Sequence, residues 1–230
     1  MAEKVAMRTR IKICCMASAE AVRLALAAGA DAIGFIGASP PTPRTLADEA
    51  IAGLTALVPP SVESVLVTNA RTAEELAAQA GRTRPTTIQI LHPVDPAEIV
   101  RLAQIAPTLR RVQVVHVEGP EALDLIPAYA PHVHGFLLDS GKPNAPVPEY
   151  GGTGKVHDWA VSAAFVRASP LPVYLAGGLS PVNVGQAIRQ VRPFGVDLCS
   201  GVRTEGLLDE DRLAAFMREV RRADAALAVA

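Results

Sequence analysis

The chain has 230 residues, 22 basic against 23 acidic side chains, a net charge of −1, 50% hydrophobic residues and only 4% aromatics. A length of this order fits one large α/β barrel or two small domains and buries about 70% of the unfolded surface, so a sizeable core is expected without staples. The balanced charge, with no basic block, argues against nucleic acid or an anionic membrane surface as a partner. Gly29, Asp31 and Gly34 break the apolar runs well short of the roughly 20 residues a spanning helix needs, and residues 1–10 lack an apolar signal core, so a cytoplasmic protein is expected. Cys14, Cys15 and Cys199 give neither an even disulfide framework nor zinc-ligand spacing; they read as reduced thiols, with no metal expected. The scarcity of aromatics assigns the core to Ala, Val, Leu and Ile.

Short β-branched runs alternate with Ala- and Leu-rich amphipathic stretches along the whole chain, the pattern of repeated βα units. The first strand is expected at 11–14. Its helix near 18–28 is opened by Ser18 with Glu20 and closed by Gly29. A strand at 32–36 precedes a helix near 45–57 that ends before Pro59-Pro60. A strand at 62–67 leads to a helix near 72–80, with Thr72, Glu74 and Glu75 as its start signal, and a strand at 87–91 leads to a helix near 95–106 opened by Asp95-Pro96. The remaining strands are expected at 111–117, 133–138, 173–176 and 196–200, with helices near 120–129, 158–167, 181–190 and 208–222. Eight units joined by loops of about 2–6 residues predict one (β/α)8 TIM barrel spanning residues 1–230 as a single domain. An open doubly wound sheet is the alternative. It gives no reason for Gly177-Gly178 and Ser200-Gly201 to follow strands 7 and 8, where a barrel builds its phosphate site.

Catalytic groups of a barrel stand at the C-terminal ends of its strands, which selects a short polar set. Gly177 and Gly178 after strand 7, Ser200 and Gly201 after strand 8, and the nearby glycines of 151–154 allow backbone N–H groups to approach a phosphate monoester, with helix N-termini behind them. Alternation along strand 1 directs Lys12 and Cys14 to one face and Ile13 and Cys15 to the other. Strand 8 is its neighbour once the barrel closes, so Lys12 is expected to form a buried ion pair with Asp197; alone it would carry several kcal/mol of desolvation. Asp139 closes strand 6 at the same mouth. An acid and a base on either side of a sugar phosphate suit an aldose–ketose isomerisation, and Arg44 offers a bidentate fork for a second anionic group such as a carboxylate. The neighbouring thiols Cys14 and Cys15 also predict sensitivity to oxidation.

These stretches resemble the phosphoribosylanthranilate isomerase family of tryptophan biosynthesis. The matching segments are Lys12-Ile13-Cys14, residues 28–35, Pro43-Arg44, Leu137-Leu138-Asp139-Ser140, residues 150–155 with Asp158-Trp159, residues 175–179 with Asn183-Val184, and residues 197–202. The resemblance implies a cofactor-free barrel that carries out an Amadori rearrangement of N-(5'-phosphoribosyl)anthranilate. It implies Asp139 as the general acid at the ribose ring oxygen and Cys14 as the general base at C2. Arg44 then lies near the anthranilate carboxylate, and Gly177, Gly178, Ser200 and Gly201 form the phosphate cradle. Family members occur as monomers and as homodimers.

Four departures from the family pattern cluster on the substrate side. Cys15 replaces the glycine that usually follows the cysteine, the strand 2 loop at 37–43 differs in composition and length, Leu91-His92-Pro93 carries an inserted residue, and Arg203 reverses a glutamate's charge. They leave two rivals open. One is a paralogue isomerising another phosphorylated aminosugar, which a kinetic comparison of substrates separates from the first reading. The other is a non-catalytic phosphate-ligand-binding barrel, against which Cys14 and Asp139 speak, since a binder needs neither base nor acid.

Overall fold

In the computed structural model, which describes residues 8–37, 44–141 and 156–228, eight parallel strands close into a barrel in sequential order. The strands are β1 (Arg10–Ile13), β2 (Ala32–Ile36), β3 (Glu63–Thr68), β4 (Thr87–Ile90), β5 (Arg110–His116), β6 (Gly135–Asp139), β7 (Val173–Leu175) and β8 (Gly195–Leu198). Closure comes from β1 pairing with β8, with Arg10 opposite Gly195 and Lys12 opposite Asp197. The helices α1 (Ala19–Ala27), α2 (Asp48–Thr55), α3 (Ala73–Thr83), α4 (Pro96–Ile105), α5 (Leu125–Tyr129), α6 (Trp159–Ala168), α7 (Val184–Val191) and α8 (Glu210–Ala228) form the outer layer.

Local chemistry fixes several helix starts as the sequence predicts. The Ser18 side chain accepts from the Ala21 N–H, Asp95 accepts from Ala97 ahead of Pro96, and Thr72 with Glu75 completes a reciprocal capping box. Gly29, at φ +88°, takes the left-handed turn that ends α1. The fifth unit departs from expectation: a 3-10 turn at Pro120–Asp124 precedes only five residues of α-helix, because Pro127 removes a hydrogen-bond donor inside so short a segment. Two features were not anticipated. A 3-10 turn (Ser200–Val202) follows β8, and a small antiparallel pair, β9 (Arg203–Thr204) with β10 (Leu207–Leu208), projects from the same loop.

Alternation along the strands divides the packing into two layers. Ile11, Ile13, Ile33, Phe35, Ile88, Phe136 and Val196 face outward into one large core shared with the helices. The barrel interior holds smaller apolar clusters, one of Cys14, Cys15 and Val67 and another of Val114, Leu137 and Ala176. Aromatics are few, yet Phe35, Phe136, Phe165 and Phe216 are completely buried, and Phe136 meets Phe165 edge-to-face at 5.2 Å. Aliphatic residues therefore fill most of the core, with these phenylalanines as its largest pieces. The expectations placed on Pro43 and on residues 150–155 lie outside the described residues.

Candidate active site

The site is built from strand ends. Lys12, at the middle of β1, is buried and meets the buried Asp197 of β8 at 2.9 Å, the pair expected from strand adjacency. Their separation suits a hydrogen bond but neither atom has one of acceptable geometry, so the contact is an ion pair with bonding capacity left over. Burial opposes the Lys12 charge, and Asp197 followed by the Cys14 and Cys15 thiols outweighs it, raising the lysine above its ordinary range. Gly34 on β2 makes the convergence feasible: a Cβ there would stand 2.7 Å from Cys14 Sγ and 3.2 Å from Lys12 Nζ. Lys12 and Cys14 thus share the barrel interior, as period-2 alternation requires.

Cys15 does not follow that alternation. The strand ends at Ile13, and Cys15 adopts φ +65°, a left-handed conformation that costs an L-residue roughly 1–2 kcal/mol. Its side chain therefore packs beside Cys14 and Cys199 instead of on the opposite face. Arg203 holds this turn from the β8 loop, donating to the Cys14 carbonyl at 3.2 Å and the Cys15 carbonyl at 2.7 Å. The charge reversal noted in the sequence thus places a guanidinium against the thiol-bearing turn.

Across the mouth, Asp139 ends β6 and accepts from the Ser140 N–H at 2.7 Å. Burial pushes its carboxyl above the ordinary range, against the Ser140 hydrogen bond and the charges of His116 and Lys12, while Asp197 adds to the rise. His116, opposite Asp139 in the β5–β6 register, keeps Nε2 at 3.2 Å from the Leu91 carbonyl oxygen, and burial lowers its pKa. His157 stands just before α6, with Nε2 2.7 Å from Ser162 Oγ and Nδ1 buried without a partner among the described residues; burial holds it down to about 4, so it is neutral at pH 7. Neither histidine was singled out in the sequence. His116 was detectable by the strand-end rule that selected Asp139, whereas His157 follows a loop and carries no such signal.

After β7, Gly177 and Gly178 take φ +78° and +62°, a backbone path that side chains resist. Gly177 also lies against His157 and Ser140, where a Cβ would come within 2.9 Å of His157 Nδ1. A Cβ on Gly201 would fall 2.0 Å from the Leu179 carbonyl oxygen, so the loops after β7 and β8 run in direct contact. Asn183 braces the first of them, accepting from the Ser180 N–H and donating to the Gly178 carbonyl. Arg44 lies beyond β2 near enough for its charge to act on Cys199 across the mouth. The structure therefore gathers Cys14, Asp139, Gly177, Gly178, Ser200, Gly201 and Arg44 at one end of the barrel.

A closed parallel barrel with a thiol and a raised carboxyl at its C-terminal mouth, beside two glycine-dependent loops after β7 and β8, defines the class of (β/α)8 barrels with a candidate active site at the C-terminal ends of the strands. Comparison with known proteins narrows the class. Residues 11–219 match the family profile described as N-(5'phosphoribosyl)anthranilate (PRA) isomerase. An N-(5'-phosphoribosyl)anthranilate isomerase from Methanocella arvoryzae is 34% identical, covering 93% of this chain and 98% of that protein. A solved phosphoribosyl anthranilate isomerase from Thermus thermophilus superposes with a TM-score of 0.78 at 26% identity, over 93% of this chain and 99% of that one. Another solved phosphoribosyl anthranilate isomerase, in complex with reduced 1-(o-carboxyphenylamino)-1-deoxyribulose 5-phosphate, gives a TM-score of 0.75 at 26% identity with the same coverage. The chain belongs to the N-(5'-phosphoribosyl)anthranilate isomerase family.

Proposed function

We propose that this barrel is the enzyme that converts N-(5'-phosphoribosyl)anthranilate into 1-(2-carboxyphenylamino)-1-deoxyribulose 5-phosphate, the Amadori step of tryptophan biosynthesis. Family membership along nearly the whole chain supports the reaction, and a relative holding a reduced form of that product supports the ligand class. The observation that carries the residue roles is the opposition of Asp139 and Cys14 about the Lys12–Asp197 pair, whose charges act on both sides of the mouth.

Asp139 enters protonated, the form its burial favours, and gives its proton to the ribose ring oxygen. The C1–O bond breaks as the anthranilate nitrogen lone pair forms a C=N bond, leaving an open-chain Schiff base. The Cys14 thiolate then takes the proton from C2, and the C2–H electrons flow toward the nitrogen to give an enolamine, which tautomerises to the ketose. Lys12 stands beside the thiol as a fixed counter-charge. Gly177, Gly178, Ser200 and Gly201 hold the phosphate through backbone N–H groups, and Arg44 faces the anthranilate carboxylate. A cytoplasmic setting fits a biosynthetic enzyme of this family, and among the described residues no helix is long and apolar enough to cross a membrane.

The test generates the substrate in situ and follows the loss of its anthranilate fluorescence. Wild type turns over, while Cys14→Ala and Asp139→Asn each lose about 10²–10⁴ in kcat, the usual range for removing a general acid or base. A wild-type chain with no turnover overturns the assignment.

A further inference from the structure

The isomerisation as derived uses one of three thiols, yet the fold brings all three together. Cys14 and Cys199 follow directly on the paired residues Ile13 and Leu198 of β1 and β8, and the Cys14 N–H donates to the Leu198 carbonyl at 2.9 Å. The left-handed turn at Cys15 then swings the remaining thiol into contact with both. Val67, Ile36 and Leu91 pack around the group. We propose that Cys199 is a peroxide-reactive thiol which Cys15 resolves into a Cys15–Cys199 disulfide beside the phosphate loop.

Accessibility and charge assign the two roles. Cys14 and Cys15 are buried, whereas Cys199 is partly exposed, so a small oxidant meets Cys199 first. Arg203 brings its positive charge to Cys199 while it clamps the carbonyls of Cys14 and Cys15, and Arg44 adds a second positive charge. The Cys15 hydrogen bond is the largest influence on Cys199; with the two arginines it overcomes burial and holds that thiol down to about 6. Hydrogen bonding to its two neighbours and then burial keep Cys15 well above the ordinary thiol range. These influences favour the thiolate on the more exposed Cys199 and the thiol on Cys15, the arrangement of an attacking thiolate beside a resolving thiol.

The chemistry balances with hydrogen peroxide as the oxidant. The Cys199 thiolate attacks one peroxide oxygen, an S–O bond forms as the O–O bond breaks, and hydroxide leaves and is protonated by solvent. Sulfur is oxidised by two electrons and peroxide is reduced. The Cys15 sulfur then attacks the sulfenic sulfur, the S–S bond forms as the S–O bond breaks, and the Cys15 proton departs with that oxygen as water. A bridge between the adjacent Cys14 and Cys15 is disfavoured, because consecutive Cα atoms lie about 3.8 Å apart, below the roughly 4.4–6.8 Å span disulfides occupy. Since Ser200 and Gly201 follow Cys199 directly, oxidation reshapes the loop proposed to hold phosphate and switches activity off reversibly.

The full chain is treated with excess hydrogen peroxide, quenched with catalase, alkylated with N-ethylmaleimide and digested with trypsin. The expected product takes up one maleimide instead of three. Its tryptic peptides 13–23 and 190–203 are joined, with fragmentation placing the bond on Cys15 and the maleimide on Cys14. Dithiothreitol restores all three free thiols. Cys199→Ser slows thiol loss at least about tenfold, and Cys15→Gly leaves a sulfenic acid on Cys199 that dimedone traps. A bond formed through Cys14, or oxidation of Cys14 with Cys199 intact, overturns the proposal. Because these readouts are masses, they stand or fall separately from the isomerase assignment, and the two variants probe the two thiols independently should either fold poorly.

Discussion

The two ends of the barrel treat their charges in opposite ways. At the N-terminal end, Asp31 accepts from Arg8, Arg10 and the Ile11 N–H, Asp224 accepts from Thr9 and Arg221, and Arg110 is paired with Glu63 at 2.6 Å. At the C-terminal mouth, Gln89 Oε1, His116 Nδ1, His157 Nδ1 and Arg203 Nε are buried without hydrogen-bond partners among the described residues, and Lys12 Nζ and Asp197 Oδ1 meet only as an ion pair. Buried polar atoms left incomplete cost stability unless something else binds them. At the N-terminal end these carboxylates are saturated by their neighbours, whereas the polar atoms of the mouth keep bonding capacity to spare.

The contrast is broken most severely at the acid and the base. Cys14→Ala and Asp139→Asn, with their losses of about 10²–10⁴ in kcat, should have no counterpart at the opposite end. Asp31→Ala should cost stability, about 2–3 kcal/mol for the lost charge-assisted hydrogen bonds, with kcat and KM unchanged; a loss of turnover there would show that the ends are coupled. Lys12→Met leaves Asp197 buried and unpaired at a cost of about 3–5 kcal/mol. At about 2–4 °C per kcal/mol for a chain of this size, calorimetry should show a fall near 10 °C, and an unchanged melting temperature would contradict the pairing.

Two titrations sharpen the comparison. The folded state holds His157 at about 4, below the ordinary histidine value of 6.5, so the unfolded chain binds the extra proton as pH falls between these values. Stability from a neutral His157 is therefore present above pH 6.5 and is lost toward pH 4, by up to ~3 kcal/mol. Denaturant titrations of His157→Gln should lack that slope. Asp139 shifts the other way: its raised folded-state value makes stability decline as pH rises from the ordinary carboxylate range through the raised one. Asp139→Asn should thus melt above wild type at pH 7 and lose the advantage in acid, which melting curves at the two pH values check. Gain of stability with loss of turnover is the signature of a residue kept for chemistry. The smallest effect is expected at Cys15→Gly, where relief of the left-handed conformation gives about 1 kcal/mol of stability.

The eight units were legible because each depends on local information. Strand positions came from runs of β-branched residues, and Ser18, Thr72 and Asp95 open helices by bonds to N–H groups two or three residues away. The Lys12–Asp197 pair was also readable, since parallel order and barrel closure fix which strands are neighbours and period-2 alternation fixes which side chains face one another. The same rule failed at Cys15 one residue past the strand, because alternation holds only while the backbone stays extended.

By itself, then, the sequence determined the barrel, its C-terminal mouth and the residues that stand at its strand ends. The tertiary structure alone decided their electrical state. Asp139 is pushed toward its protonated form by burial, Cys199 carries a lowered thiol value because Cys15 reaches it from the loop after β1 while Arg203 folds back from its own loop, and His157 is kept neutral by the packing around it. Propensity and periodicity are properties of neighbours along the chain. Desolvation and the field of distant charges depend on which loops fold over the mouth, and spacing in the sequence does not encode them.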